Sequence, residues 1–271
     1  EAILMSSEYT DAYFNRGNGY FNLGNLDEAI ASYGDVIRLN PNYIFAYVNR
    51  GNALRELKRP AEALASYVEA LAIKPGSVLA LNGHGSALRE LKRPAEALAS
   101  YDRALAIKPD YVEALYNRGN AFLDLKRPMD ALESYDKALA IKPDYVEALY
   151  SRGNALRGLN RLEEALASYN QAIALKPDYA EALSSRGNAL RELNCLDEAL
   201  ASHDQAIARD PEYAEAFNNR GIVLNGLERL DEAMASYDQA IALKSDFAEA
   251  FNNRGNTLTQ LRRLDEALAS Y

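Results

Sequence analysis

The sequence is poor in the residues that build disulfides and metal sites. It has no tryptophan, one cysteine and two histidines in 271 residues. The single cysteine, Cys195, excludes an internal disulfide and any metal site made of several thiolates. The histidines, His84 and His203, are too far apart for the His–x3–His pattern of a helical zinc site. We therefore predict no metal site, and the composition fits a reducing compartment such as the cytoplasm.

Long apolar runs and an excess of positive charge are also lacking. No run approaches the roughly 20 apolar residues that cross a bilayer. Residues 1–9 have neither the basic start nor the apolar stretch of a signal peptide. The formal net charge of -9 and the pI near 5.0 argue against binding to nucleic-acid phosphates or to anionic membranes. We expect neither nucleic acid nor membrane as a partner, and a cytoplasmic location.

Three residue types recur every 34 residues along the chain. The prolines stand at Pro41, Pro75, Pro109, Pro143, Pro177 and Pro211. The glycines stand at Gly17, Gly51, Gly85, Gly119, Gly153, Gly187, Gly221 and Gly255. The alanines stand at Ala29, Ala63, Ala97, Ala131, Ala165, Ala199, Ala233 and Ala267. A shared period in this length range predicts an array of identical supersecondary units.

The unit 112–145 shows which family the period resembles. Its recurring residues are Leu115, Gly119, Phe122, Ala131, Tyr135, Ala138 and Pro143. This series resembles the tetratricopeptide repeat, and the resemblance covers essentially the whole chain. It implies an all-α fold: a right-handed superhelical solenoid of antiparallel helix pairs whose first helices line a concave groove. One departure recurs, because the residue before the glycine is usually apolar in that family. Here it is Arg16, Arg50, Arg118, Arg152, Arg186, Arg220 and Arg254, with His84 as the exception.

The residues of the unit also predict where its helices begin and end. Gly119 costs about 1 kcal/mol inside the first helix, which is tolerable if another backbone passes close to it. Lys126 and Arg127 are predicted to form the turn. Pro128 suits the first position of the second helix, where no N–H is needed. Pro143 ends the unit, because the residue before a proline avoids helical geometry.

We predict one solenoid over residues 1–271, since at least about three such pairs must stack to bury their apolar faces. The full repeats are 10–43, 44–77, 78–111, 112–145, 146–179, 180–213 and 214–247. Residues 1–9 match the end of a preceding repeat, and residues 248–271 form a partial repeat. Both ends thus fall inside a second helix, where Ala2, Ile3, Met5 and Tyr271 take core positions. This predicts either a piece of a longer array or head-to-tail self-association through the open ends.

Catalytic signatures are lacking. Gly17, Gly19 and Gly24 do not form a nucleotide-binding fingerprint, and acidic pairs such as Glu163 and Glu164 lie where the helix dipole favours negative charge. The tyrosines recur at repeat spacing, which indicates core packing. We predict that the chain is not an enzyme and needs no cofactor.

Asparagine is the informative residue. The resemblance implies that the positions two before and one after each glycine face the groove. Asparagine is a poor helix former, yet its amide can both donate to and accept from a peptide backbone. The predicted peptide-binding residues are Asn15, Asn18, Asn49, Asn52, Asn117, Asn120, Asn154, Asn188, Asn219, Asn253 and Asn256, with the groove arginines Arg55, Arg89, Arg157 and Arg191. The alternative is that the amides bond to the neighbouring repeat and set the superhelix; both can hold.

Charges suggest two further expectations. The groove arginines are interspersed with Glu56, Glu90 and Glu192, so the mixture predicts no strong preference for a charged ligand. The recurrent arginine beside each glycine is flanked by core positions and is expected to pair with an acid on a second helix. The candidate acids are Asp102, Asp136, Asp204 and Asp238.

The subfamily is less well defined. Some family members grip a C-terminal carboxylate with Lys and Arg two and six residues into a first helix. Those places hold Glu113 and Asn117 in the fourth repeat, so that clamp is lacking. The asparagine pattern is loosely similar to the superhelix of O-linked N-acetylglucosamine transferases. We therefore predict a scaffold that binds extended protein segments. The alternatives are the substrate-docking arm of a larger glycosyltransferase and a self-assembling head-to-tail scaffold.

Overall fold

The computed structural model describes the backbone of residues 2–271 and the side chains of residues 9–271. In this range it has sixteen α-helices and no strand, which confirms the all-α prediction. The helices are α1 (Ala2–Asn22), α2 (Leu26–Leu39), α3 (Ile44–Glu56), α4 (Pro60–Ile73), α5 (Val78–Glu90), α6 (Pro94–Ile107), α7 (Val112–Asp124), α8 (Pro128–Ile141), α9 (Val146–Gly158), α10 (Leu162–Leu175), α11 (Ala180–Glu192), α12 (Leu196–Arg209), α13 (Ala214–Gly226), α14 (Leu230–Leu243), α15 (Ala248–Gln260) and α16 (Leu264–Ser270).

The chain divides into two compact units, one ending at Lys142 and the other beginning at Pro143. In the first unit, helices α1 to α8 pack consecutively, each against the next. In the second unit, helices α9 to α16 do the same. Within each unit the odd-numbered helix opens a 34-residue repeat and the even-numbered helix closes it. That all repeats belong to one continuous solenoid stays a prediction.

The turn inside each repeat follows from the end of its first helix. In the fourth repeat Lys126 has a φ of 58°, so the backbone turns through the left-handed region there. The Lys126 N–H donates to the Leu123 carbonyl, and the Arg127 N–H donates to the Phe122 carbonyl, both at 2.9 Å. This is the Schellman arrangement, which satisfies the last carbonyls of a helix. Pro128 then opens α8 at a position where its missing N–H costs nothing.

The recurrent glycine makes room for a tyrosine ring. A Cβ added to Gly153 would lie 2.5 Å from the Tyr169 ring. The same relation holds at Gly17, Gly51, Gly85, Gly119 and Gly221, each against the tyrosine of its own second helix. The expectation that a backbone passes close to the glycine is therefore wrong: the close neighbour is an aromatic side chain. These tyrosines are buried in both units, as their spacing predicts.

The first helix departs from the predicted repeat pattern. Residues 1–9 were predicted to match the end of a preceding repeat, with the next full repeat beginning at residue 10. Instead α1 runs without interruption from Ala2 to Asn22. Ser7 stands where most units have the proline that ends the second helix, so nothing there forces the preceding residue out of helical geometry. Ser245 replaces the same proline, yet α14 ends at Leu243, so losing the proline permits continuation without requiring it. The core positions predicted for Ala2, Ile3 and Met5 lie outside the described side chains.

Candidate functional site: the face of the first helices

A cleft of about 320 Å³ lies between the first two repeats of the first unit. It is lined by Asn18, Phe21, Asn22, Tyr33, Asn49 and Asn52. Three of these residues come from α1, two from α3 and one from α2. The cleft therefore lies where two successive first helices meet, on the face that was predicted to form the groove. Its polar lining consists mainly of amides.

The second unit has a cleft of about 200 Å³ built from equivalent positions. It is lined by Ile222, Asn225, Tyr237, Asn253, Asn256 and Gln260. Asn225 stands at the repeat position of Phe21, and Asn253 and Asn256 at those of Asn49 and Asn52. The same surface thus recurs in both units, with an amide in place of the aromatic side chain.

In five repeats the asparagine after the glycine accepts a hydrogen bond from the tyrosine of the second helix of its own repeat. Tyr33 Oη donates to Asn18 Oδ1 at 2.9 Å, and Tyr169 Oη donates to Asn154 Oδ1 at 2.8 Å. The same bond joins Tyr67 to Asn52, Tyr135 to Asn120 and Tyr271 to Asn256. Burial raises the pKa of Tyr67 to about 12, so the phenol is a neutral donor at physiological pH. The amide oxygen is thereby used inside the repeat, whereas these bonds do not engage the Nδ2 hydrogens.

In four repeats the asparagine two residues before the glycine bonds to the preceding repeat. Asn49 Nδ2 donates to Asn18 Oδ1 at 3.0 Å. Asn117 Nδ2 donates to the Asn82 amide oxygen at 3.0 Å. Asn253 and Asn219 make comparable contacts, with Asn218 at 3.0 Å and with Ser184 at 3.5 Å. These contacts match the alternative in which the amides link neighbouring repeats. Asn15 is exposed.

Three of the four groove arginines form ion pairs with the next repeat. Arg55 Nη2 lies 2.6 Å from Glu90 Oε1, and Arg89 Nε lies 3.0 Å from Asp124 Oδ2. In the second unit, Arg157 Nη1 lies 3.7 Å from Glu192 Oε1. Each pair joins the last turn of one first helix to the last turn of the next. Because they are about one-third exposed, we assign them a modest role in stability.

The fourth groove arginine, Arg191, occupies the same position without such an acid. The residue 34 positions after Glu192 is Gly226, which has no side chain to offer. Within residues 9–271, Arg191 forms no ion pair, although it is half-buried. The structure thus separates Arg191 from the three arginines with which the sequence pattern groups it.

The arginine beside each glycine is a structural residue. Arg118 Nε donates to Ser134 Oγ at 3.1 Å, and Arg118 Nη1 lies 3.2 Å from Asp102 Oδ1. Arg220 and Arg254 likewise pair with Asp204 and Asp238, each at 2.6 Å. The predicted pairing with acids on second helices is confirmed for these three. The serine partner was missed, although serine recurs in register one residue before the core tyrosine.

Each of the two histidines occupies a position that another residue type holds in most other repeats. His84 Nδ1 lies 2.9 Å from Ser100 Oγ, the serine that the arginine contacts in other repeats. His203 stands where the core tyrosine does, with its ring against Gly187. Both observations fit substitution within the repeat. The described residues contain no group of three or more His, Cys, Asp or Glu side chains arranged to hold a metal ion.

Several cleft residues were not predicted from the sequence. Phe21 and Asn22 lie four and five residues after Gly17, and Asn225 and Gln260 lie at the matching positions of later repeats. The sequence did contain a signal for them, because residues three and four positions after Asn18 lie on the same face of a helix.

No helix between residues 2 and 271 is both long and apolar enough to cross a bilayer.

Comparisons with known proteins agree with this architecture. Family models described as "TPR repeat" match residues 153–193, 187–227 and 224–261. Models described as "Tetratricopeptide repeat" match residues 10–43, 48–112, 82–146 and 134–167. Together these matches take in most of the sequence. No curated protein sequence matches the chain.

Similar folds occur among solved structures. A crystal structure of MamA is 26% identical with a TM-score of 0.57, covering 61% of this chain and 96% of MamA. YrrB, described as "a TPR protein with an unusual peptide-binding site", is 26% identical with a TM-score of 0.56, covering 68% of this chain and 95% of YrrB. A tetratricopeptide repeat protein from Parabacteroides merdae, 20% identical, has a TM-score of 0.70 over 93% of this chain and 99% of its own. The chain is a member of the tetratricopeptide repeat family.

Proposed function

We propose that the chain is a protein-interaction scaffold that binds extended segments of partner proteins along the face of its first helices. One observation carries this proposal: clefts lined by amides recur at equivalent repeat positions in both units. An extended peptide presents N–H and C=O groups at regular intervals, and amide side chains can pair with both.

The bonding pattern leaves donors available for that role. The Asn52 and Asn154 amide oxygens accept from tyrosines, and these bonds leave the Nδ2 hydrogens for a peptide carbonyl. Binding to peptide is also a property stated for YrrB, one of the similar structures. The docking arm of a glycosyltransferase would use the same face, so that alternative stays a prediction.

Site-specific photo-crosslinking tests this location. Benzoylphenylalanine is introduced at Asn22, which lines the first cleft, or at Ala72, which is exposed on the second helix α4. Peptides enriched on the chain from a displayed library of random 12-residue sequences serve as the probe. We expect crosslinks from position 22 and none from position 72. Equal crosslinking from both positions, or from Ala72 alone, would exclude the proposed face.

A further inference from the structure

Repeat 180–213 and the first helix that follows it carry two neighbouring substitutions close to the binding face. His203 stands where the other second helices have the core tyrosine. Gly226, in the next first helix, stands where Glu90, Asp124 and Glu192 pair with groove arginines. In other repeats the side chains at these two positions form a hydrogen bond or an ion pair with a residue of the preceding first helix. The two substitutions affect Asn188 and Arg191, which lie one turn apart on α11.

The loss at Gly226 leaves Arg191 with its charge uncompensated. Glu192, the neighbouring acid on α11, is engaged with Arg157. Arg191 stands at the repeat position of Phe21 and Asn225, which line the two clefts. Its guanidinium therefore lies at the binding face, in a half-buried position. Such a group has up to five N–H donors in a planar fork that matches a carboxylate.

The loss at His203 leaves the Asn188 amide oxygen without the hydroxyl donor that a tyrosine supplies in other repeats. In the preceding repeat Tyr169 Oη donates to Asn154 Oδ1 at 2.8 Å, but an imidazole has no hydroxyl to donate in that place. His203 is fully buried, and its Nε2 has no hydrogen-bond partner among the described residues. Its Nδ1 lies 3.5 Å from Ser184 Oγ, which accepts from Asn219 Nδ2. With the Ser184 hydroxyl donating to Nδ1, Nε2 carries the ring proton and is a donor.

Two donor groups without an acceptor thus lie in one repeat, the Arg191 guanidinium and the His203 imidazole. The Nδ2 group of Asn188, one turn before Arg191 on α11, is a further donor. We infer that this part of the binding face takes a carboxylate of the bound peptide, held by Arg191 and Asn188 next to the apolar side chain of Ile222. The carboxylate belongs to an Asp or Glu side chain or to a peptide C-terminus. This inference rests on the proposed function. It also refines the expectation from the sequence, because a preference for an anion is confined to one repeat.

His203 contributes by remaining neutral. Burial and the nearby Arg191 lower the pKa of His203 to about 4, so the ring is neutral at pH 7. The positive charge at this site is then that of Arg191. A tyrosine at position 203 would donate a hydrogen bond to the Asn188 amide oxygen, as Tyr169 does to Asn154. The variant His203→Tyr therefore restores the hydrogen bond to the Asn188 oxygen while keeping the helix pair intact.

A charge-restoring variant tests the inference without removing Arg191. Gly226→Glu places a carboxylate where Glu192 stands one repeat earlier, so Arg191 regains an internal partner. The added Cβ meets Leu196 at an ordinary 3.4 Å. Gly158→Glu is the matched control, since it adds the same charge at the same repeat position. Arg191 stands 35 residues before Gly226, whereas the residue 35 positions before Gly158 is Leu123. This control therefore has no arginine to neutralise.

The probes are 12-residue peptides enriched on the unmodified chain from a random library, then synthesised with a free or amidated C-terminus. Each is also made with its Asp and Glu replaced by Asn and Gln. Fluorescence anisotropy gives the dissociation constants. We expect Gly226→Glu and Arg191→Gln each to weaken the best peptides about tenfold, a typical effect for one charge-assisted contact. Gly158→Glu should change binding less than about twofold. The modified peptides show whether a side chain or the C-terminus supplies the carboxylate.

The possible failures are distinguishable. Peptides that bind tightly but lose nothing on amidation and acid replacement, or on Gly226→Glu, overturn the carboxylate site and leave the scaffold function standing. Failure to enrich any peptide over a matrix without protein contradicts the proposed function and this inference together.

Discussion

At the scale of single residues, the repeat is built around one contact between a glycine and an aromatic ring. The ring of Tyr169 fills the space that a side chain at Gly153 would need. Its hydroxyl then reaches Asn154 one residue further along α9. The glycine therefore determines both the packing of the helix pair and the position of an amide on the binding face.

Two glycines of α9 give a matched test of this contact. Gly153→Ala should destabilise the protein by about 1–3 kcal/mol, because overpacking forces the Tyr169 ring to move. Gly158→Ala meets nothing within 4 Å and should be neutral or stabilise by up to about 1 kcal/mol, since alanine is the better helix former. Chemical denaturation measures both. Equal effects of the two changes would show that the ring contact does not limit the choice of residue.

The recurrent arginine is expected to contribute measurably to stability. Arg118→Ala removes the bond to Ser134 and leaves Asp102 without its cation, and the side chain is 17% exposed. We predict a loss of about 1–3 kcal/mol in the free energy of unfolding. Arg38→Ala is the control, because its side chain is 74% exposed and the loss should stay within about 0.5 kcal/mol. An Arg118 variant as stable as the control would show that this arginine is a surface residue.

His203 predicts a dependence of stability on pH. Its pKa is lowered in the folded protein to about 4, mainly by burial, from an ordinary value near 6.5. A lowered pKa means that protonation favours the unfolded chain, so this stability is present above pH 6.5 and is lost as the pH falls towards 4. The loss is at most roughly 3 kcal/mol. His203→Tyr should remove this contribution, so its unfolding midpoint should fall less between pH 7 and 4. Parallel pH profiles of the two proteins would contradict this.

At the scale of helices and turns, the sequence predicted the pattern better than the contacts. The 34-residue period fixed the alternation of first and second helices, because prolines and glycines mark their ends through backbone geometry. The turn at Lys126 and the start at Pro128 were found where they were expected. Such features depend on local residues alone, which a sequence displays directly.

Contacts between side chains were predicted less completely. The pairing of Arg118 with Asp102 was expected, since both recur in register and carry opposite charges. The bond from Tyr169 to Asn154 was not expected, because spacing alone does not show that the tyrosine hydroxyl points towards the first helix. The uninterrupted α1 was missed because the repeat register was carried back to residue 1, although Ser7 lacks the proline signal.

At the scale of the whole chain, self-association through the ends stays a prediction. Leu264, Leu268 and Tyr271 are 57%, 74% and 64% exposed, so the last helix does present apolar surface. Tyr271 still donates to Asn256 at 2.8 Å, as the interior tyrosines do. Sedimentation velocity over a range of concentrations addresses this, with a monomer at high concentration contradicting it.

The central claim is that amides on the first helices bind the backbone of an extended peptide. Replacing Asn52, Asn120 and Asn154 together by Asp keeps an oxygen for Tyr67, Tyr135 and Tyr169 but removes the Nδ2 donors. Replacing Gly34, Val68 and Asn170 by Asp is the charge-matched control. These sites on second helices hold Asp in other repeats, as at Asp102.

The decisive measurement is the dissociation constant of an uncharged, library-selected peptide for these two triple variants and the unmodified chain. The account predicts at least about tenfold weaker binding to the asparagine variant, as expected for the loss of several hydrogen bonds. The melting temperature should stay close to that of the unmodified chain, and the control should bind as tightly as that chain. Binding of the asparagine variant within about twofold of the unmodified chain would contradict the claim and leave the amides a structural role alone.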